Sequence, residues 1–410
     1  MSEDTASGRV TDESGRSLPS IPVRYVVGVV GLLLLAVLPL MASMELGIGI
    51  PGVFVFTVDQ LFLLDLALAL YFGMFAMSWD TVSGYTGQIS FGHGLFFAVG
   101  GYTSALLNLG YGLDPLVSVP LGMVLAAVAG VVIGVPALRL RGPYLSLVTL
   151  VAPLILLNLF IFRSDVFGGE LGISPGPDNF LGFGVADAEM VYYVALGLFV
   201  FIMAVLLLVT RSDAGRVFTA VREDEDAVAS VGLNPAKFKI FAFVLSAAIG
   251  GLAGAMYVHT PRGGATYSEL FSTTVNVEVI IAAVLGGMGT IVGAAIGGIF
   301  VGIVPELLNE VELAIPEILA LPFGPNVGLK VPVVGGTPIS EIDFLIFAVL
   351  TLFLLYILPG GILRAVIRGG RRARGWRRGD DVATDGGRPE RVLTRVVRRW
   401  NDELRGDDDE

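Results

Sequence analysis

The chain has 410 residues, 54% of them hydrophobic and 15% charged, with a formal net charge of -11 and no cysteine. A charged share so far below the ~25% of soluble domains points to a polytopic membrane protein. The absence of cysteine excludes disulfide, thiol and cysteine-metal chemistry, and His93 and His259 form no ligand motif.

Residues 1–22 are polar, with no basic stretch leading into a cleavable leader. The first apolar run, 23–44, therefore reads as a retained span. Runs at 61–79, 95–110, 115–137 and 144–162 follow, then 190–210, 240–259, 273–288, 290–308 and 342–360. Each is near the ~20 residues that a crossing helix needs. The expected fold is an all-α, polytopic membrane helical bundle of about ten transmembrane helices. The third, eighth and ninth runs are short or broken by glycine, so some helices are expected to be discontinuous or re-entrant. Five runs lie on each side of the turn-rich stretch 163–189, which predicts an inverted 5+5 repeat.

Arginine and lysine set the orientation. Arg139 and Arg141 mark one loop, Arg211, Arg216, Arg222, Lys237 and Lys239 a second, and seven arginines between Arg364 and Arg378 the C-terminus. These face the cytoplasm. The acidic loops 163–189 and 306–341 face outward, and the permease domain spans 23–363. Both termini, 1–22 and the arginine-rich 364–410, fall inside, and the C-terminal tail reads as disordered apart from a short helix near 388–404. The expected location is a multi-pass plasma-membrane protein in contact with lipid, with no nucleic-acid partner.

Within the loop 211–239, five consecutive charges, Arg222-Glu-Asp-Glu-Asp226, interrupt an otherwise greasy chain. Ser212 or Asp213 can cap a helix there, and Gly232 with Asn234-Pro235 ends it. Val217, Val221, Val228 and Val231 share one side, while Arg216, Glu223 and Asp226 share the other. One amphipathic helix of about five turns is expected. It is either a solvated connector at the membrane surface or a docking helix for a soluble partner.

The stretch GYTGQISFGHG carries Tyr85, Gln88, Ser90 and His93 among closely spaced glycines. Backbone of this kind is expected to break its helix, either as a packed turn or as a lining of the passage. Glu278, inside the eighth run, is either a paired structural carboxylate or a pathway residue, since an ionised group at membrane depth is expensive. No G-x-x-x-x-G-K-[ST] occurs, so the chain has no phosphate-binding loop for ATP. A stand-alone ion-coupled transporter stays open beside a passive subunit of a larger machine. No nucleophile–base spacing supports an enzyme.

Four segments resemble M-type permease subunits of branched-chain amino acid ABC transporters. They are GRVFTAVREDEDAVASVGLNPAKFKIFAFVLSAAIGGLAGAMYVH (215–259), SGYTGQISFGHGLFFAVGGYTSALL (83–107), NVEVIIAAVLGGMGTIVGAAIGG (276–298) and LLYILPGGIL (354–363). The resemblance implies that 211–239 is a coupling loop, with 213–232 a helix seated in a groove of an ATP-binding subunit. Arg216, Ala220, Arg222, Glu223, Glu225, Ala227 and Gly232 fall on the family pattern. The wider signature Glu-Ala-Ala reads Asp226-Ala227-Val228 here, so its first and third positions depart. It also implies that ATP is bound by partner subunits and that this chain holds no cofactor of its own. The other implied partners are a second permease subunit, an extracellular solute-binding protein and a small amino acid substrate. Related permeases carry urea or short amides.

Overall fold

The structure, a computed structural model, describes residues 23–43, 47–50, 54–57, 59–138, 143–173, 178–310, 343–358 and 360–366. Helix α1 (Val23–Ser43) is followed by a hairpin of β1 (Gly47–Ile50) and β2 (Phe54–Thr57), paired antiparallel with Gly47 opposite Thr57. Then come α2 (Gln60–Thr86), α3 (Gly94–Tyr111), α4 (Pro115–Ala137), α5 (Pro143–Phe162) and the single turn α6 (Ser164–Phe167). The second half holds α7 (Ala188–Arg211), α8 (Asp213–Glu223), α9 (Glu225–Ser230) and α10 (Pro235–Val258). It closes with α11 (Tyr267–Leu270), α12 (Thr273–Gly287), α13 (Ile291–Glu310) and α14 (Asp343–Ile357).

Each of the ten expected apolar runs coincides with a helix. Among the described residues, six helices are long and apolar enough to cross a membrane, and three shorter apolar stretches lie in α1, α13 and α14. The fold is the expected helical membrane bundle, and the short hairpin is a local addition to it. Its alternating Gly-Ile and Phe-Val runs around Pro51-Gly52 are a strand signal that the hydropathy reading passed over. The expected tail 1–22, loop residues 311–341 and the tail from 367 onward lie outside the described residues.

Local chemistry sets the helix ends. Asp59 accepts from the Phe62 N–H at 2.8 Å to open α2, and Gly87, at φ 73°, closes it. Asp114 and Asn234 cap α4 and α10, each followed by proline at the first helical position, where its missing N–H costs nothing. Helix α2 is apolar all round and is buried on nearly every side, as such a helix must be. The outer helices α4, α5 and α7 leave most of their apolar surface uncovered, which suits hydrocarbon.

The two halves exchange partners. Helix α2 packs along α13, α10 packs along α4, and the neighbours α3–α4 and α12–α13 pair alike. Small residues make this possible. A Cβ at Gly100 on α3 would overlap the carbonyl oxygen of Gly251 on α10, and one at Gly298 would sit 2.5 Å from the Gly73 Cα. At such contacts only hydrogen fits, so the backbones meet and the bundle tightens.

Candidate functional site

The charged segment is two helices, not one. Asp224 leaves the helical region at φ -157°, ψ 103°, and its carboxylate accepts from the Ala227 N–H at 2.9 Å. An aspartate in that geometry starts a helix, so five charges in a row end α8 and cap α9. Gly232, at φ 84°, stops the pair. Phe218, Val221 and Val228 are buried against the bundle, whereas Val231 is 74% exposed, off its expected apolar side. Phe218, fully buried, was not among the expected anchors.

Two of the seven expected docking residues bond to the bundle itself. The Arg222 guanidinium donates through Nη1 to the Gly84 carbonyl at 2.6 Å, and Glu225 Oε1 accepts from Lys239 Nζ at 2.8 Å. Lys239 is buried at the start of α10, so this pair ties α9 to that helix. Arg216, Ala220, Glu223, Ala227 and Gly232 lie exposed, with Arg216 paired to Asp213 at 2.9 Å.

The glycine-rich stretch leaves the helix between Gly87 and His93, and α3 starts only at Gly94. Side chains satisfy its backbone: Trp79 Nε1 donates to the Ser90 carbonyl at 2.7 Å, and Ser146 Oγ to the Ile89 carbonyl at 2.8 Å. Thr149 Oγ1 accepts from the Phe91 N–H at 3.1 Å, and Ser83 Oγ from the Ser90 N–H at 3.2 Å. Non-helical backbone is tolerated at membrane depth when it is paid off by neighbours in this way. Gln88 is half-buried and donates to the Thr86 carbonyl at 3.4 Å; Tyr85 is half-buried, and Ser90 is buried.

His93 is fully buried where α2, α3 and α10 cross, stacked on Phe75 at 5.7 Å. Ser78 Oγ donates to the Phe75 carbonyl and Ser246 Oγ to the Ser78 carbonyl, so neither hydroxyl has a hydrogen left. His93 Nε2 must then carry the proton and donate to Ser246 Oγ at 2.8 Å, leaving Nδ1 buried without a partner. Such a histidine is held in place by the crossing of the three helices.

Glu278 lines a cavity of about 220 Å³ together with Asp65, Tyr257, Glu269 and Glu306. Tyr85 lies at the other end of α2 from Asp65, but the glycine-rich stretch turns back: Gly94, next to His93, donates its N–H to Asn276 Oδ1 at 2.8 Å, two residues before Glu278 on α12. His93 thus sits beside α12, the helix that carries Glu278, while Tyr85 lies farther along α2. Arg262 bonds Asp65 Oδ1 at 2.5 Å and approaches Glu306 to 4.0 Å at the cavity. No group of three or more His, Asp or Glu among the described residues could hold a metal ion.

Two further polar clusters escaped the sequence reading. Asp80 is fully buried in α2, with Oδ1 accepting from the Gly289 N–H at 2.7 Å and Oδ2 unpartnered. The expected span stopped at Trp79, one residue before this charge. Near the Asp65 end of α2, His259 Nδ1 donates to the Asp178 carbonyl at 2.5 Å, while Ser104 Oγ meets its Nε2 at 2.8 Å.

Residues 61–321 match the family described as branched-chain amino acid transport system / permease component. The chain belongs to this family. The permease match takes in α2 to α13, and with them the charged segment, the glycine-rich link and the cavity. LivM, the high-affinity branched-chain amino acid transport system permease protein of Escherichia coli, is 34% identical over 267 residues, 59% of this chain and 62% of its own length. The probable permease LivM of Methanocaldococcus jannaschii is 27% identical over 339 residues, 72% of this chain and 92% of its own. LivH of Escherichia coli is 25% identical over 278 residues, covering 62% and 86%. The chain thus spans 62% and 60% of the E. coli and Salmonella LivM permeases. These relatives are transport permeases, not enzymes, and no solved structure matches.

Proposed function

We propose that this chain is the membrane permease subunit of an ATP-driven ABC importer for branched-chain amino acids. The observation that carries the reading is α8–α9. Its apolar face is buried on the bundle, while Arg216, Glu223 and Ala227 face outward inside the stretch shared with the permease family. Charges held at a surface by a buried apolar face are suited to a soluble partner, here an ATP-binding subunit that supplies the nucleotide chemistry. A second permease subunit and an extracellular solute-binding protein complete the assembly. In the plasma membrane both termini and α8–α9 face the cytoplasm, and the acidic cavity faces outward. Solute enters past Glu278, and Tyr85, Gln88, Ser90 and His93 line the passage beyond it.

Four carboxylates around one cavity also suit an ion-coupled transporter, and urea or a short amide is the neighbouring choice of solute. Reconstitution separates these. The lone chain in liposomes is expected neither to hydrolyse ATP nor to accumulate solute under a proton or sodium gradient. Adding a second permease, ATP-binding subunits and a leucine-loaded binding protein is expected to give ATP-dependent leucine uptake. Gradient-driven uptake by the lone chain would sink the importer reading.

A further inference from the structure

Arg222 does more than decorate α8. Its Nη1 bonds the Gly84 carbonyl at 2.6 Å, one of the last four carbonyls of α2, which have no partner within their own helix. A cation there also complements the negative end of the helix dipole. A Cβ at Gly87 would meet the Arg222 Cγ at 3.2 Å, so the stem of the arginine crosses the end of α2. One turn back, Asp80 holds the Gly289 N–H, just ahead of Ile291, where α13 begins. Gly289 itself lies against Arg222: a Cβ on it would stand 3.0 Å from Nη1.

The joint between α12 and α13 is built to bend, with Gly287 at φ 127° and Gly289 at φ 78°, values that side chains resist. From there α13 runs as one helix of 20 residues, about 30 Å, and its far part lines the acidic cavity through Val301, Gly302, Pro305 and Glu306. A bonded chain thus leads from the charged surface segment to the cavity. Asp80 does more than cap: besides the Gly289 N–H, its carboxylate faces the Thr290 N–H and the Arg222 charge, so one side chain gathers the start of α13 and the arginine of α8.

We propose that Arg222 and Asp80 are positioning residues that pass a displacement of α8 to the start of α13, and along that helix to the cavity. The proposal deepens the importer reading and rests on it.

The test uses the complete reconstituted importer and reads leucine moved per ATP hydrolysed, retention of the ATP-binding subunit, and Tm. Arg222→Gln is expected to keep the subunit bound and hydrolysing while moving several-fold less leucine per ATP. Arg222→Lys, which can still donate to Gly84, is expected to recover most of that ratio. Asp80→Ala is expected to behave like Arg222→Gln; if it does not fold, the arginine pair alone decides. An unchanged ratio in Arg222→Gln, including one where uptake and hydrolysis fall in step, overturns the linkage, as does a lysine variant no better than glutamine. A wild-type chain that retains no ATP-binding subunit fails the importer reading, and the linkage with it.

Discussion

Lys239 Nζ lies 2.8 Å from Glu225 Oε1, and the two partners are unequally placed: the lysine side chain is 4% exposed, the glutamate 32%. Breaking a pair costs most when it strands the buried charge. Glu225→Gln is therefore expected to destabilise α9 more than Lys239→Met, whose orphaned glutamate can turn to water. The difference is expected at about 1–2 kcal/mol, below the ~3–5 kcal/mol of a fully buried pair. Amide hydrogen exchange of residues 225–230 measures it. Equal exchange in the two variants would show that Val228, not the ion pair, holds the helix down.

Backbone contact predicts a contrast between glycines. Gly100→Ala places a methyl on the Gly251 carbonyl and is expected to cost about 1–3 kcal/mol, as overpacking does. At Gly197 on α7 nothing lies within 4 Å of a new Cβ. Gly197→Ala is then expected to leave Tm unchanged or raise it, because alanine is the better helix former by roughly 1 kcal/mol. Thermal unfolding in detergent reads both. Equal losses would mean that α3 and α10 can part without penalty.

Burial lowers the proton affinity of His259 from its ordinary value, against the opposing pull of the Asp178 carbonyl and the Asp178 and Asp114 charges. The unfolded imidazole titrates near 6.5, so below that pH the unfolded chain binds a proton that the folded site resists. The contribution to stability is complete above about pH 6.5 and is lost as pH falls. The fall in Tm between pH 7.5 and 5.5 is expected to be smaller in His259→Gln than in wild type. Parallel slopes would assign the acid sensitivity to the carboxylates.

Hydropathy alone located all ten apolar helices, because each must cover its backbone polar groups within itself. It misjudged α2 at its charged end. A run scored by apolarity stops at Trp79, yet α2 continues through Asp80 to Thr86, because a partner from α13's start receives the carboxylate. The charged block was legible as a surface helix from its valine spacing, but its break at Asp224 depends on a local cap. The roles of Arg222 and Glu225 were hidden for another reason. Gly84 lies far back in the sequence, and no spacing rule reveals which charges turn inward. The family motif marked the segment while leaving its wiring unseen.

Asp65 and Asp80 both ride on α2, and both find their partners, Arg262 and the Gly289 N–H, in the second half of the chain. During synthesis α2 emerges long before either partner exists. Two carboxylates must then wait at membrane depth, where an unpaired charge is costly. The helix at the centre of the finished bundle is thus its least comfortable solitary span. Insertion machinery that shelters α2 until α10 to α13 arrive would serve this chain more than one whose first helices are merely greasy, and a ribosome stalled after α7 would leave a half-protein that membrane quality control can recognise by those two acids.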